Sequence, residues 1–210
     1  MRRLFILLFI VLMAMPFTLN AQQETLLDGE SGIESGFFCG PEFKFSTIGN
    51  QFAYLPGIRA ALIIDHRVTL GLAGYWLESD LKTTVSRTNY LPETNKETPV
   101  TGITYAIDME YGGFDLGYIF LPEQPLFLAM NTLIGIGEVT SENTLTQRAE
   151  HDEFFIVEPG INVGMNVAPW FRVLVGASYR WVDGVRGVTG VSNDDLSGLS
   201  GMILLKFGWF

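Results

Sequence analysis

The 210 residues carry 13 basic and 23 acidic side chains, a formal net charge of −10, and one cysteine. So acidic a chain lacks the basic surface that nucleic-acid binding requires, and a lone cysteine excludes an internal disulfide. The length suits one domain once an export segment is set aside.

Met1, Arg2 and Arg3 form a positive head to an apolar run over residues 4–15, broken at Pro16 and followed by Leu19-Asn20-Ala21. This is the pattern of a cleavable signal peptide over 1–21, and the run is short of the roughly 20 residues a spanning helix needs. Loss of Arg2 and Arg3 leaves 11 basic against 23 acidic residues, a charge of −12. Residues 22–35 are expected to be a short periplasmic segment and 36–210 a single domain. Cys39 lies too far past the cleavage point to carry a lipid and reads as a small apolar strand residue.

From there the chain is rich in glycine and aromatics and alternates with period two. Eight strands are expected, over 37–48, 52–64, 68–80, 101–120, 126–139, 153–167, 170–182 and 197–210. Asp65-His66-Arg67, residues 121–125 and Ala168-Pro169 are tight connections, whereas 81–100, 140–152 and 183–196 are longer and polar. Short turns at one end and longer loops at the other are the habit of outer-membrane barrels. Gly49-Asn50-Gln51 departs from it by being short.

The alternation separates two faces. Phe171, Val173, Val175, Ala177, Tyr179 and Trp181 share one side, opposed by Arg172, Leu174, Gly176, Ser178 and Arg180. Residues 153–167 and 197–210 repeat the contrast. Because the minor face is heavy in glycine rather than Lys, Glu and Thr, the bulky face is expected to meet lipid and the small or charged face the lumen. Tyr75, Trp76, Tyr118, Phe120, Trp170, Phe171, Tyr179, Trp181 and Trp209 gather near strand ends, as interfacial girdles do. The fourth strand breaks parity between Ile107-Met109-Tyr111 and Phe114-Leu116-Tyr118-Phe120. A β-bulge at Gly112-Gly113 would restore one apolar face.

On that register Glu42, Lys44, Arg59, Asp108, Glu110, Asp115, Glu158, Arg172, Arg180 and Lys206 point inward, five acids against five bases. The interior of an eight-stranded barrel is just wide enough for side chains to fill, and charges buried there must be paired. A plugged lumen laced by ion pairs follows. The chain ends Phe207-Gly208-Trp209-Phe210. With the export segment and the alternating strands, this resembles the small OmpA/OmpX-type barrels of Gram-negative outer membranes. The resemblance implies an all-β, eight-stranded, up-and-down transmembrane barrel surrounded by outer-membrane lipid. It also implies that Phe207, Trp209 and Phe210 are a C-terminal signal for the barrel assembly machinery. Phe210 sits out of phase with the apolar row of Leu205, Phe207 and Trp209.

No catalytic, metal or cofactor motif is recognisable. His66 reads as turn chemistry. His151, with Asp152 or Glu142 and Ser141, could be cast as the outer-rim site of a lipid A-modifying barrel, but no spacing enforces a base oriented by an acid beside a nucleophile. Asn193, Asp194 and Asp195, or Glu142 with Glu150, offer oxygen ligands for calcium without EF-hand spacing. The leading expectation is a non-enzymatic barrel serving envelope structure or surface contacts. The alternatives are a lipid A-modifying enzyme, a narrow pore, and a soluble lipocalin-like barrel with its bulky face inward.

Overall fold

The structure, a computed structural model, describes residues 35–85 and 102–210. The expected signal peptide, the segment up to residue 34 and residues 86–101 of the first long connection lie outside the described residues. The chain forms β1 (Ser35–Ile48), β2 (Gln51–Ile64), β3 (Val68–Trp76), β4 (Leu81–Val85), β5 (Ile103–Phe120), β6 (Leu126–Asn143), β7 (Ala149–Ala168), β8 (Phe171–Asp183) and β9 (Gly198–Trp209). One helical turn, α1 (Asn193–Leu196), precedes β9.

All pairings are antiparallel between neighbours, β1 pairs with both β2 and β9, and β3 pairs with β5, so the sheet closes on itself. β4 continues the line of β3 along β5, and together they make one interrupted stave. The result is an eight-stave, up-and-down barrel whose mid-section closes without free edges, whereas β4 pairs with β5 alone and the outer end of β7 with β6 alone. Gly49-Asn50 and Asp65-His66 turn with positive φ at both residues, the geometry whose twist suits a two-residue hairpin.

The break in parity is resolved differently from the sequence expectation. β5 and β6 run in unbroken register from Tyr105 opposite Asn143 to Phe120 opposite Leu128, with no bulge at Gly112-Gly113. The irregularity lies on the neighbouring stave, where the chain advances five residues from Trp76 to Leu81 while β5 retreats three from Glu110 to Ile107. The extra residues are anchored, since Leu77 N donates to Met109 O at 2.8 Å and Tyr54 N to Ser79 Oγ at 2.9 Å. The expected loop over 140–152 shrinks to residues 144–148, because β6 and β7 continue outward as a paired hairpin. Asn143 ties its tip by accepting from Leu145 N and Thr146 N.

The outer surface changes character along the barrel axis. Around its middle it is apolar, with Leu62, Phe114, Ile136, Val163, Val175 and Leu199 each 55–71% exposed. On β5–β7 the apolar band stops abruptly. The row Glu110, Glu138 and Glu153, followed by Asp108, Thr140 and His151, faces outward beyond it. Asp108 and Glu110 are therefore not lumenal as expected, and it is Ile107, Met109 and Tyr111 that point in and are buried. Tyr75, assigned to a girdle from sequence, is likewise buried inside. β4–β7 thus rise above the rest of the rim as a tall wall, whose outside is polar and whose inside is apolar.

The lumenal glycines are explained by rings laid on them. A Cβ at Gly57 would fall 2.2 Å from the Tyr75 ring, at Gly137 2.3 Å from Phe154, and at Gly164 2.2 Å from Phe127. Each ring fills the lumen by lying flat on bare backbone of a neighbouring stave. Gly137→Ala and Gly164→Ala are expected to destabilise the folded barrel by about 1–3 kcal/mol through overpacking. Gly201→Ala, on the outer face with its nearest neighbour 4.0 Å away, should be neutral. Equilibrium urea unfolding in lipid vesicles reads the difference.

Candidate functional site

The lumen holds three layers. The central one is ionic and draws on seven of the eight staves. On β1, Glu42 accepts from Nη2 of Arg59 of β2 at 3.2 Å, and Arg59 Nε lies 2.8 Å from its other oxygen as an ion pair without a hydrogen bond. Arg59 also lies 3.7 Å from Asp115 of β5, whose carboxylate accepts from Asn131, which accepts in turn from Asn162. Lys44, two residues along from Glu42, donates to Glu158 of β7 at 2.8 Å and sits 3.5 Å above the Tyr75 ring. Glu158 accepts two further bonds, from Tyr111 Oη at 3.0 Å and Ser178 Oγ at 2.6 Å. Period two puts Glu42 and Lys44 on one face, and likewise Ser178 and Arg180, so two successive inward positions of a stave supply the layer.

These groups are almost free of solvent, with Glu42 and Arg180 at 0% exposure and Lys44, Asp115 and Glu158 at 1%. A single unpaired charge in such surroundings would be prohibitive, and the network meets that demand by giving each carboxylate a cation or several donors. Arg180 is held differently. Its Nε donates to Leu196 O at 2.6 Å, tying the ionic layer to the connection above it.

That connection, between β8 and β9, forms the second layer. It was expected to be a polar loop, but it folds inward. Val185, Val188, Val191 and Leu196 are buried with Leu55, Met109, Val139, Phe154 and Ile156 in one apolar cluster. The spacing of the three valines is the signal that a reading by loop polarity passes over. Inward carboxylates of the tall wall hook the backbone of this cap. Asp152 Oδ2 accepts from Arg186 N and Gly187 N, both at 2.6 Å, and Glu150 from Thr189 N at 2.9 Å. Both carboxylates lie above the apolar band and are held below the usual carboxylate range, Glu150 by the hydroxyl and then the amide of Thr189, Asp152 by the amides of Arg186 and Gly187. Ser141 Oγ donates to Thr189 O, and α1 is closed by a reciprocal capping box between Ser192 and Asp195.

The third layer lies at the short-turn end. Phe38, Ile63, Ile119, Phe127, Leu174 and Leu204 form an apolar cluster with Phe210 packed against it. The inward parity of Phe210 thus has a structural use, while Phe207 faces outward beside Trp170 and Phe171, and Trp209 faces outward beside Phe37. Arg172 and Lys206, cross-strand neighbours, enter this layer over aromatic rings. Arg172 is 4.0 Å from the Phe210 centroid, and Lys206 3.9 Å from that of Phe38.

The groups considered for chemistry do not converge. Ser141 is buried inside, whereas His151 and Glu142 are exposed. Thr140 and Glu138 both meet His151 at the same nitrogen, Nδ1, so neither orients the ring toward the other as a nucleophile–base–acid relay requires. Asn193 and Asp195 are spent on Val185 N and Ser192, and among the described residues no three metal-ligating side chains gather.

No protein-family model matches the sequence, and no curated protein matches it either. Solved structures do. Neisserial surface protein A is 12% identical, with a TM-score of 0.54 over 85% of this chain and 98% of that one. The N-terminal β-barrel domain of Pseudomonas aeruginosa OprF is 9% identical, with a TM-score of 0.51 over 84% and 99%. The likeness is one of fold, and the fold is that of the small eight-stranded outer-membrane barrels whose sequence pattern this chain resembles.

Proposed function

We propose that this chain is an integral outer-membrane barrel without enzymatic activity. Its lumen is closed, and its tall wall and cap are presented outside the cell for envelope structure or surface contacts. The observation that carries this reading is the inverted polarity of the mid-section. Val175 and Phe207 are 55% and 40% exposed, while Arg180 and Lys206 are 0% and 5% exposed. A water-soluble barrel would have these reversed, so the lipocalin-like alternative fails. The apolar band suits lipid, and its abrupt end at Glu110, Glu138 and Glu153 suits an interface with water. The short-turn end, where both termini of the barrel lie, faces the periplasm on this reading. Phe207, Trp209 and Phe210 there serve as the signal for the assembly machinery. Support for a non-enzymatic role comes from His151 and Ser141 lying on opposite faces of the wall.

Fractionation tests the membrane assignment. The protein is expected in the outer-membrane fraction, released by detergent but not by salt or alkali, with an unheated SDS-gel mobility that shifts on boiling. Recovery in the aqueous fraction would sink the assignment. Lumen closure is tested by planar-bilayer recording, in which steady, reproducible conductance from the purified protein would refute it. Silence is expected, because the cap, the ionic layer and the short-turn cluster lie in series.

The carboxylate hooks of the cap give a pH dependence of known sign. A carboxylate whose pKa is lowered by folding contributes stability that is full above its unfolded value, near 4, and that is lost as pH falls through the folded value. Hydrogen exchange at the amides of Arg186, Gly187 and Thr189 should therefore be slow at pH 7 and show loss of protection below about pH 4 once the intrinsic rate is corrected for. Asp152→Ala should produce that loss at pH 7 for Arg186 and Gly187 only.

A further inference from the structure

With Asp108 and Glu110 outside, the inward charges between cap and short turns no longer balance. Glu42, Asp115 and Glu158 stand against Lys44, Arg59, Arg172, Arg180 and Lys206. The carboxylates are taken up by Arg59 and Lys44. Arg180, whose Nε binds Leu196 O, offsets the third carboxylate charge through its neighbour Glu158. The surplus is Arg172 and Lys206, opposite one another on β8 and β9, facing inward with aromatic rings as their contacts. Two like charges side by side, Lys206 buried and Arg172 half-buried at the mouth, favour an anion between them and water.

The short-turn mouth has room for one. A cavity of about 280 Å³ opens there, lined by His66, Pro122, Glu123, Asn166, Arg172 and Phe210. Glu123 is exposed on its turn and reaches water. Asn166 is the cross-strand neighbour of Arg172, and its amide is fixed, because Nδ2 donates to Pro122 O at 3.2 Å and Gln124 O at 2.8 Å. The other end of that amide, Oδ1, is buried and accepts no hydrogen bond. The mouth therefore combines a guanidinium fork, a nearby ammonium, and an acceptor waiting for a donor.

We propose that this mouth binds inorganic phosphate. Arg172 takes two of its oxygens, Lys206 compensates its charge from behind, and the phosphate hydroxyl donates to Asn166 Oδ1. The match is specific. Inorganic phosphate keeps a hydroxyl at neutral pH in both its abundant forms, sulfate has none, and a phosphomonoester, with a second pKa near 6, has mostly lost its own. Arginine suits the planar, two-point recognition of such an oxyanion, and lysine acts as a point charge.

Calorimetric titration of the full barrel, folded in detergent at pH 7.5 and constant ionic strength, tests this with inorganic phosphate, sulfate and glycerol phosphate as probes. Saturable phosphate binding is expected, at least tenfold tighter than sulfate or glycerol phosphate. Arg172→Gln and Lys206→Met should each weaken it tenfold or more, while Arg186→Gln at the opposite end leaves it unchanged. Unheated gel mobility confirms folding of each variant, and should Lys206→Met fail to fold, Arg172→Gln alone decides. No saturable binding, equal affinity for sulfate, or an affinity indifferent to Arg172→Gln overturns the proposal.

Discussion

The barrel depends on a constraint that most small domains avoid: its interior is the polar place. An apolar outer band leaves the lumen as the only region where charged side chains can be held, and a lumen this narrow leaves little water to hold them. Glu158, with three donors, and Glu42, ion-paired with Arg59, answer that constraint. Removing one partner from such a pair typically costs about 3–5 kcal/mol, because the other charge stays behind unmatched. Drawing members from seven staves, the network also fixes how the staves stand relative to one another. Stave register and charge pairing are thereby coupled, and a slip of one residue would turn every ion outward.

The same strands solve the opposite problem a few residues farther on. Above the band the surroundings are aqueous, and the wall reverts to the ordinary arrangement, with Asp108, Glu110 and Glu153 outside and Ile107, Met109 and Phe154 inside. Parity is continuous through the change, and the meaning of each parity is what flips. The β8–β9 connection then supplies the cover that the apolar inside of the wall needs, and the carboxylates hooking it stand in for strand pairing that β8 does not extend far enough to provide.

Much of this was legible in the residues. The eight staves, their short turns and the facing of Val173, Val175, Leu205 and Phe207 follow from period-two alternation and glycine content. So does the inward facing of Glu42, Lys44, Arg59, Asp115, Glu158, Arg180 and Lys206. Asp108 and Glu110 were misplaced for a definite reason. One apolar face was assumed to look at one solvent along the whole stave, so a reversal of polarity was read as a reversal of register and repaired with a bulge. Which cation meets which carboxylate was not legible, because partners such as Lys44 and Glu158 come from opposite ends of the chain and are joined only by closure of the ring. The cap was missed because its valines are spaced for neither a strand nor a long helix.

The unequal height of the rim has a mechanical side. From Glu138 to Asn143 the β6–β7 hairpin extends about 17 Å past the outward row of Glu110, Glu138 and Glu153 at the usual rise per residue. Paired on one flank with β5 and on the other leaning on the cap, it is a stiff post rather than a tether. Its tip, with Leu145 77% exposed, is held out from the surface with its backbone already ordered. A molecule that docked there would spend little of its affinity on freezing a loop, so recognition at the tip is set by side-chain chemistry instead of chain flexibility.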